Sequence, residues 1–410
     1  MRELLLASAS FAVVFCGIAA AQDGQSFDRI DRGRYLSVLG DCAGCHTAPG
    51  GAPFAGGLVL QTPFGKLVAP NITPDRQTGI GNMSDGEFSA ALQKGRGHNG
   101  KRLYPAMPYT AYVKMTADDV SAMRAYFRTV APVSNAVESN QLPFPFNIRL
   151  SLVFWNLLNF KPVAFKPDPA KSAEWNRGAY IVRGPGHCGA CHTPKNLIGG
   201  DKDDAPLQGA LLQGWFAPNI TPDERLGIGN WSKQDLVDYL KTGANKTTLA
   251  SGPMSEAVTH STSQMSDDDL NAIATYLKQS GITARGAAHS PLPANAPQLR
   301  LGAVIYKDNC AACHKDDGSG EPRLFPRLAG SALVQADDPT TVVHIALSGA
   351  RAVSTAGAPT SPAMPAFDWR LDDAQIAAVV TYLRNTWGNA ASAVSPETVA
   401  DQRKSLAKTP

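Results

Sequence analysis

Three short segments of the chain combine two cysteines and a histidine at one fixed spacing. They read CAGCH at residues 42–46, CGACH at 188–192 and CAACH at 310–314. Two thiols three residues apart on a helical turn reach the two vinyl groups of one porphyrin, and the adjacent histidine can bind its iron. The spacing therefore predicts three covalently bound c-type haems, attached through Cys42, Cys45, Cys188, Cys191, Cys310 and Cys313 and ligated by His46, His192 and His314.

The cysteine count favours haem attachment over a redox dithiol or a zinc site. The chain has seven cysteines, and all except Cys16 belong to the three motifs. Redox C-x-x-C pairs come singly between a strand and a helix, whereas here a histidine follows the second cysteine in all three copies. All six motif cysteines are therefore assigned to haem, and none to a disulfide.

A second iron ligand is expected on the opposite face of each haem. In each unit a methionine lies beside proline, in a segment predicted to be non-helical, shortly before the last helix. These are Met107 in YPAMPY, Met254 in SGPMSEA and Met364 in SPAMPAF. Methionine ligation raises the haem potential, so this ligand set is typical of electron transfer.

Other methionines and histidines compete for these positions. Met115 and Met265 correspond between the first two units but have no third counterpart, so packing roles are predicted for them. His260 is an alternative to Met254, because PMSEAVTH lacks the Pro-Ala-Met-Pro pattern of its siblings. The histidines that do not recur in all units are expected to have surface or packing roles: His98, His187, His289 and His344.

The helices that position these groups repeat with the motifs. A glycine and a nearby tyrosine precede each motif, and the glycines are Gly33, Gly178 and Gly302. An aromatic residue recurs in the last helix of each unit, at Tyr126, Tyr276 and Tyr382. A small residue facing an aromatic lets two helices cross closely, and this crossing resembles that of the cytochrome c fold. Little in the chain favours a sheet, so the predicted fold class is all-α, with three tandem cytochrome c-like haem domains.

The repeats divide the chain into predicted segments. Arg2 and an apolar stretch up to Ala20 are typical of a secretory signal peptide cut near Ala21, with an uncleaved membrane anchor as the alternative. The tail after Trp387 is polar and is predicted to be disordered. The segments are the signal peptide (1–21), domain 1 (27–133), an apolar and proline-rich connector (134–173), domain 2 (174–281), a linker (282–298), domain 3 (299–387) and the polar tail (388–410).

The heptapeptide APNITPD occurs at residues 69–75 and again at 217–223, and each copy runs on to Gly-Ile-Gly-Asn. Asn71 and Asn219 can either reach a haem propionate or cap the loop. We expect this segment to fold round one haem edge, with Ile72 and Ile220 packed on the ring. A plain structural turn is the alternative.

The third unit has a different segment at this place, EPRLFPRLAGS. Here Pro326 is expected to offer its backbone carbonyl to the Nδ1–H group of His314. Arg323 or Arg327 is expected to pair with a haem propionate. We therefore interpret the first two units as sisters and the third as a more distant relative.

Together these segments resemble one protein family. The motifs APNITPD…GIGN(M/W)S, RLYPAMPY, CGACHTPKN and FPRLAGS are similar to those of cytochrome c subunits of bacterial membrane-associated dehydrogenases for alcohols, aldehydes, gluconate and sorbitol. The resemblance covers nearly all of the chain after residue 21. It implies that a large flavin- or quinone-dependent dehydrogenase subunit, in some complexes joined by a small third subunit, oxidises the substrate. This chain would carry the electrons to ubiquinone or another respiratory acceptor, at the periplasmic side of the inner membrane, without chemistry of its own.

Two other functions remain open at this point. One is a multihaem peroxidase or reductase with one iron open to substrate, and the other is a free periplasmic electron carrier. Nucleic-acid binding is excluded, because the formal net charge is only +3 and no Lys/Arg-rich run occurs.

The connector contains an apolar stretch, LPFPFNIRLSLVFWNLLNF, at residues 142–160. It is too short to span a membrane. Three roles are compatible with its sequence: docking on the dehydrogenase subunit, lying in the membrane interface, or packing between domains.

Overall fold

The computed structural model describes residues 26–282 and 289–407. The predicted signal peptide, residues 1–21, lies outside them. Helices dominate, and we call the elements around the first, second and third C-x-x-C-H motif unit one, unit two and unit three. Within the described residues, no helix is long and apolar enough to cross a membrane.

Unit one contains five helices and one small sheet. Its helices are α1 (Phe27–Leu39), α2 (Cys42–His46), α3 (Asp85–Lys94), α4 (Tyr109–Tyr112) and α5 (Ala117–Phe127). The antiparallel sheet consists of β1 (Val59–Thr62), β2 (Gly65–Val68) and β3 (Asn140–Gln141), in that order. A further helix, α6 (Leu152–Asn159), lies in the connector.

Unit two repeats this plan. Its helices are α7 (Ala173–Arg183), α8 (Gly189–His192), α9 (Lys233–Thr242), α10 (Pro253–His260) and α11 (Asp267–Lys278). One antiparallel hairpin, β4 (Ala210–Leu212) and β5 (Trp215–Ala217), corresponds to the hairpin of unit one. These hairpins were not predicted, because each strand has only three or four residues.

Unit three follows residues 283–288, which lie between the two described ranges. Its helices are α12 (Pro297–Asn309), α13 (Ala311–His314), α14 (Ala332–Gln335), α15 (Thr340–Ser348), α16 (Asp373–Arg384) and α17 (Pro396–Leu406). Two strands of two residues each, β6 (Ala350–Arg351) and β7 (Ala363–Met364), pair in antiparallel fashion.

The close helix crossing predicted from the glycines is present in all three units. An ideal Cβ atom on Gly33, Gly178 or Gly302 would lie 2.0, 1.9 or 2.3 Å from the nearest backbone carbonyl oxygen of the facing helix. The same atom would lie 2.6–2.8 Å from the Cβ of the facing tyrosine. Because no side chain fits at this distance, glycine sets the separation between the first and last helix of each unit.

Units one and two share one apolar core. A continuous cluster of buried side chains runs from Leu36 and Leu39 in α1 to Ile273 and Leu277 in α11. Unit three has a separate core built around Tyr306, Val343 and Ile376.

The polar contacts between units one and two are reciprocal. The Tyr35 hydroxyl in α1 donates to Asp269 in α11 over 2.8 Å, and Arg177 in α7 pairs with the same carboxylate at 2.7 Å. In the matching arrangement, Tyr180 donates to Asp119, which pairs with Arg32. Each unit therefore provides an Arg–Asp pair that accepts a tyrosine hydrogen bond from the other unit.

Replacing Tyr35 by phenylalanine should destabilise this interface by about 1–2 kcal/mol, since a hydrogen bond to a charged group is lost. Burial acts to raise the pKa of Asp269, but hydrogen bonds from Arg177 and Tyr35 outweigh it and hold that pKa below its usual value of 3.8. The carboxylate therefore stabilises the fold above the unfolded-state pKa, and this contribution is lost as the pH falls through the lower folded-state pKa.

The measurement is thermal unfolding of the haem-loaded protein as a function of pH. Tyr35→Phe should lower the melting temperature at neutral pH and move the onset of acid unfolding to higher pH. Tyr104→Phe, which removes a hydrogen bond to Phe146 O at the surface, is the control and should have little effect. Equal effects of the two variants would contradict the interface role of Tyr35.

The prediction that the tail is disordered is wrong for its described part. Helix α17 packs on α15 and α16, with Val394 and Val399 buried in the core of unit three. Arg403 also bonds to Asp373 over 2.8 Å. The segment is polar overall, but its buried valines and the Arg403–Asp373 pair attach it to unit three.

Candidate haem-binding sites

Each C-x-x-C-H motif forms a single helical turn. Helix α2 covers the whole first motif, and in the other two the first cysteine is the residue just before α8 or α13. The amide N–H groups of His192 and His314 donate to the carbonyl oxygens of Cys188 and Cys310 over 3.0 Å. This geometry places the two thiols and the imidazole of a motif on adjacent positions of one turn, as haem attachment requires.

The environment of the thiols does not suit a redox dithiol. All six described cysteines are free of disulfides. Burial raises the pKa of Cys188 to about 12 and that of Cys310 to about 11, whereas reactive dithiols have lowered pKa values. Among residues 26–282 and 289–407, no three or more His, Cys, Asp or Glu side chains are grouped in a way that could hold a metal ion.

Each motif histidine makes the same hydrogen bond. Its Nδ1 atom lies 2.7 Å from Pro70 O for His46, 2.6 Å from Pro218 O for His192 and 2.9 Å from Pro326 O for His314. Because the carbonyl can only accept, Nδ1 carries the proton and the Nε2 lone pair is left for iron. Burial lowers the pKa of all three imidazoles, which favours this neutral, ligating form.

The expected contact of Pro326 is confirmed, and the equivalent prolines of units one and two were missed. Pro70 and Pro218 are the second residues of the two APNITPD copies. The sequence-based prediction for that repeat named its asparagine and its isoleucine, and not this proline. The signal that could have found it is the proline at the second place of both APNITPD copies, 24 and 26 residues after the motif histidine (70 − 46 and 218 − 192).

The rest of the repeated loop holds this proline in place. Asn71 caps the loop: its Oδ1 accepts from the amide of Thr73 over 2.9 Å, and its Nδ2 donates to Val133 O over 2.7 Å. Asn219 likewise accepts from the amide of Thr221 over 2.7 Å. Of the two roles predicted for these asparagines, loop capping is the one observed.

The Gly-Ile-Gly-Asn segment closes the same loop from the other side. The amide of Ile80 donates to Thr73 O over 2.9 Å, and an ideal Cβ on Gly79 would lie 2.2 Å from that oxygen. The corresponding bond of unit two joins Ile228 to Thr221 O. The repeat is therefore a unit of structure in which glycine is required for close backbone approach.

The candidate methionines occupy three different backbone settings. Met107 lies in a turn and packs against the shared core, while Met364 lies in β7 opposite Ala350. Met254 is helical, contrary to prediction: Gly252, with φ of 55°, and Pro253 at the first position start α10. Proline is well suited to a helix start, because its missing N–H has no partner there anyway.

The rival ligands are placed as follows. Met115 and Met265 are buried in the shared core, and His260 is exposed at the end of α10. The other four histidines contact protein groups: His98 bonds to Glu87, His187 to Gly40 O, His289 to Asp337 and His344 to Gly214 O.

Unit two contacts both of its neighbours near the candidate sites. His187 directly precedes the second motif, and Gly40 lies two residues before the first motif. The Nε2 atom of His187 is 3.2 Å from the carbonyl oxygen of Gly40. On the other side, the Trp215 ring stacks on His344 of unit three with ring centroids 3.8 Å apart. Arg323 also reaches unit two, lying 3.8 Å from Asp238.

Comparison with known proteins gives the family. The Cytochrome c family model matches residues 299–387. The chain is 41% identical over 98% of its length to the gluconate 2-dehydrogenase cytochrome c subunit of Pantoea cypripedii, covering 94% of that protein. The chain belongs to the family of dehydrogenase cytochrome c subunits.

Two further relatives carry other dehydrogenase names. The alcohol dehydrogenase (quinone) cytochrome c subunit of Gluconobacter oxydans is 38% identical over 94% of this chain and 84% of its own length. The fructose dehydrogenase cytochrome subunit of Gluconobacter japonicus is 39% identical over 91% of this chain and 82% of its own length. As a dehydrogenase cytochrome c subunit, this protein transfers electrons and does not itself catalyse substrate oxidation. The family model implies covalently bound haem c.

One carboxyl of this cytochrome c subunit is unusually placed. Asp41 precedes the first motif with φ of 47°, and its Oδ1 atom is buried without a hydrogen-bond partner. Burial raises the pKa of Asp41 to about 7. An ideal Cβ on Gly44 would lie 2.5 Å from this carboxylate, so a larger residue there would force the Asp41 side chain to move.

Proposed function

We propose that this cytochrome c subunit carries three covalent haems c, attached at Cys42/Cys45, Cys188/Cys191 and Cys310/Cys313. When bound, each haem supplies an iron that alternates between the ferric and ferrous states. His46, His192 and His314 would each bind iron through Nε2. The observation that carries the proposal is the hydrogen bond from Nδ1 to a proline carbonyl, which recurs at all three motifs.

On the other face of each haem, Met107, Met254 and Met364 would provide the sixth ligand. A thioether bound to iron raises the potential and leaves no open position for substrate. This arrangement favours electron transfer over the alternative of a peroxidase or reductase with one open haem.

The electron route would pass through unit two. Unit two contacts unit one beside the first two motifs and unit three through Trp215 and His344. We propose that a large flavin- or quinone-dependent subunit, oxidising an alcohol, aldehyde, sugar or sugar acid, delivers electrons to one end. Ubiquinone or another respiratory acceptor would receive them, with the protein exported to the periplasmic side of the inner membrane.

The test is a haem count on protein purified from its own host. Pyridine haemochrome absorbance against protein mass should give three haems per chain, all resistant to acid–acetone extraction because they are covalently bound. Carbon monoxide should bind none of them in undamaged protein. A count of one or two would overturn the triple-haem proposal, and carbon monoxide binding would overturn the six-coordinate ligand set. A dehydrogenase subunit that co-purifies, and whose substrate reduces the haems, would identify the partner.

A further inference from the structure

Helix α6 in the connector has the reverse of the usual polarity: polar side chains lie on its inner face and apolar side chains on its outer face. Its polar side chains face the protein: Asn156 Oδ1 accepts from the buried Tyr109 hydroxyl over 2.8 Å, and Asn159 Oδ1 accepts from Asn196 over 2.8 Å. Three of its large apolar side chains face outward instead, with Phe154 68% exposed, Leu157 81% and Leu158 71%, while Leu152 is buried. A surface helix normally shows the opposite pattern.

The exposed apolar surface extends beyond this helix. We define the connector face by Phe144, Phe146, Leu150, Phe154, Leu157, Leu158, Leu197 and Ile198, all of which are exposed. Its parts are connected through Phe64 and Trp155. The Phe146 ring lies 5.2 Å from the Phe64 ring, an ideal Cβ on Gly199 would lie 3.2 Å from that ring, and the Trp155 indole donates to Ile198 O over 2.8 Å. The face is therefore one continuous surface and not a set of scattered side chains.

Charge on this segment has one sign. Residues 139–167 contain Arg149, Lys161 and Lys166 and no Asp or Glu. The exposed Lys161 and Lys166 follow α6 directly, and Lys161 pairs with Asp203 of the neighbouring loop at 2.6 Å. Cations beside an aromatic and aliphatic face are typical of segments that lie at an anionic lipid surface.

We propose that the connector face binds the surface of an anionic phospholipid bilayer. The exposed side chains of α6 would enter the boundary between headgroups and acyl chains, while Lys166, and Lys161 once it exchanges Asp203 for lipid, contact phosphate groups. A protein interface of this size would present several hydrogen-bonding groups, but the α6 polar side chains are already paired inside the protein. The assignment goes beyond electron transfer, because it specifies how the subunit is held near the respiratory acceptor.

The test is co-sedimentation of the purified, haem-loaded protein with vesicles. Wild type should bind vesicles of phosphatidylcholine with phosphatidylglycerol, and should bind pure phosphatidylcholine vesicles more weakly. The double variant Leu157→Glu/Leu158→Glu should partition roughly 100-fold less, because two exposed leucines no longer enter the lipid. Since both side chains point away from the protein, the haem spectrum and melting temperature should be unchanged.

A matched control changes exposed apolar residues of another helix. Leu301→Glu/Val304→Glu on α12 should bind vesicles as wild type does. Equal binding by the α6 variant and wild type would overturn the proposal. The proposal would also be overturned if wild-type protein did not bind vesicles and the α6 variant no longer co-purified with its dehydrogenase subunit. The connector face would then be covered by a protein partner. Haem count and redox activity are scored separately, so failure here is distinguishable from failure of the electron-transfer proposal.

Discussion

Replacing Gly178 by alanine should destabilise the protein by about 3 kcal/mol or more. The added methyl group would lie 1.9 Å from Ala272 O and 2.8 Å from the Tyr276 Cβ, so α7 and α11 must move apart. This separation would open the core that units one and two share. Urea unfolding of the haem-loaded protein measures the effect.

Gly86→Ala is the matched control for that experiment. Gly86 lies in α3, and an ideal Cβ there meets no atom within 4 Å. Alanine should therefore stabilise the protein by about 0.5–1 kcal/mol, through the smaller entropy of the unfolded chain. If the two substitutions had the same small effect, the tight α7–α11 crossing would be contradicted.

Replacing Met254 by leucine should leave one haem in three able to bind carbon monoxide. Leucine has a similar volume, so the core that Met254 forms with Ala250, Val258 and Val353 should be kept while the thioether is lost. The potential of that haem should also fall by on the order of 0.1 V or more, since axial ligands set haem potentials over about 0.8 V. Carbon monoxide difference spectra and redox titration measure both effects.

Met265→Leu tests the rival assignment for the same haem. Met265 is buried in the shared core, so this substitution should leave the spectrum and the potentials unchanged. If Met265→Leu opened the haem and Met254→Leu did not, Met265 would be the ligand. His260→Ala provides the same test for the exposed histidine at the end of α10.

The local geometry of the motifs could be predicted because it depends on residue spacing alone. The three motif turns need only five consecutive residues each. The helix crossing also has a strong local signal, since Gly33, Gly178 and Gly302 each accompany one motif. The contact between His314 and Pro326 could be predicted because only 12 residues separate them.

Features that depend on contacts between distant segments could not be predicted. Nothing in the sequence indicated that Tyr35 would bond to Asp269, 234 residues away. The apolar stretch at 142–160 left three roles open, because its sequence does not show that Asn156 faces inward. The helical setting of Met254 was also not predicted, because a proline that follows serine and glycine indicates a loop as readily as the helix start that Pro253 forms.

The shared core of units one and two has a consequence for how the chain acquires its fold. The three C-x-x-C-H repeats are built on two main apolar cores, one spanning both sister repeats and one within unit three, with a small cluster of Ala250, Val258 and Val353 between units two and three. A fragment ending near residue 133 would lack the α11 side chains that complete its core. It would also lack the Tyr180 hydroxyl, which donates a hydrogen bond to Asp119. During synthesis from the N-terminus, the first repeat should therefore gain its stability only together with the second. We therefore expect the two sister repeats to unfold together and not one at a time.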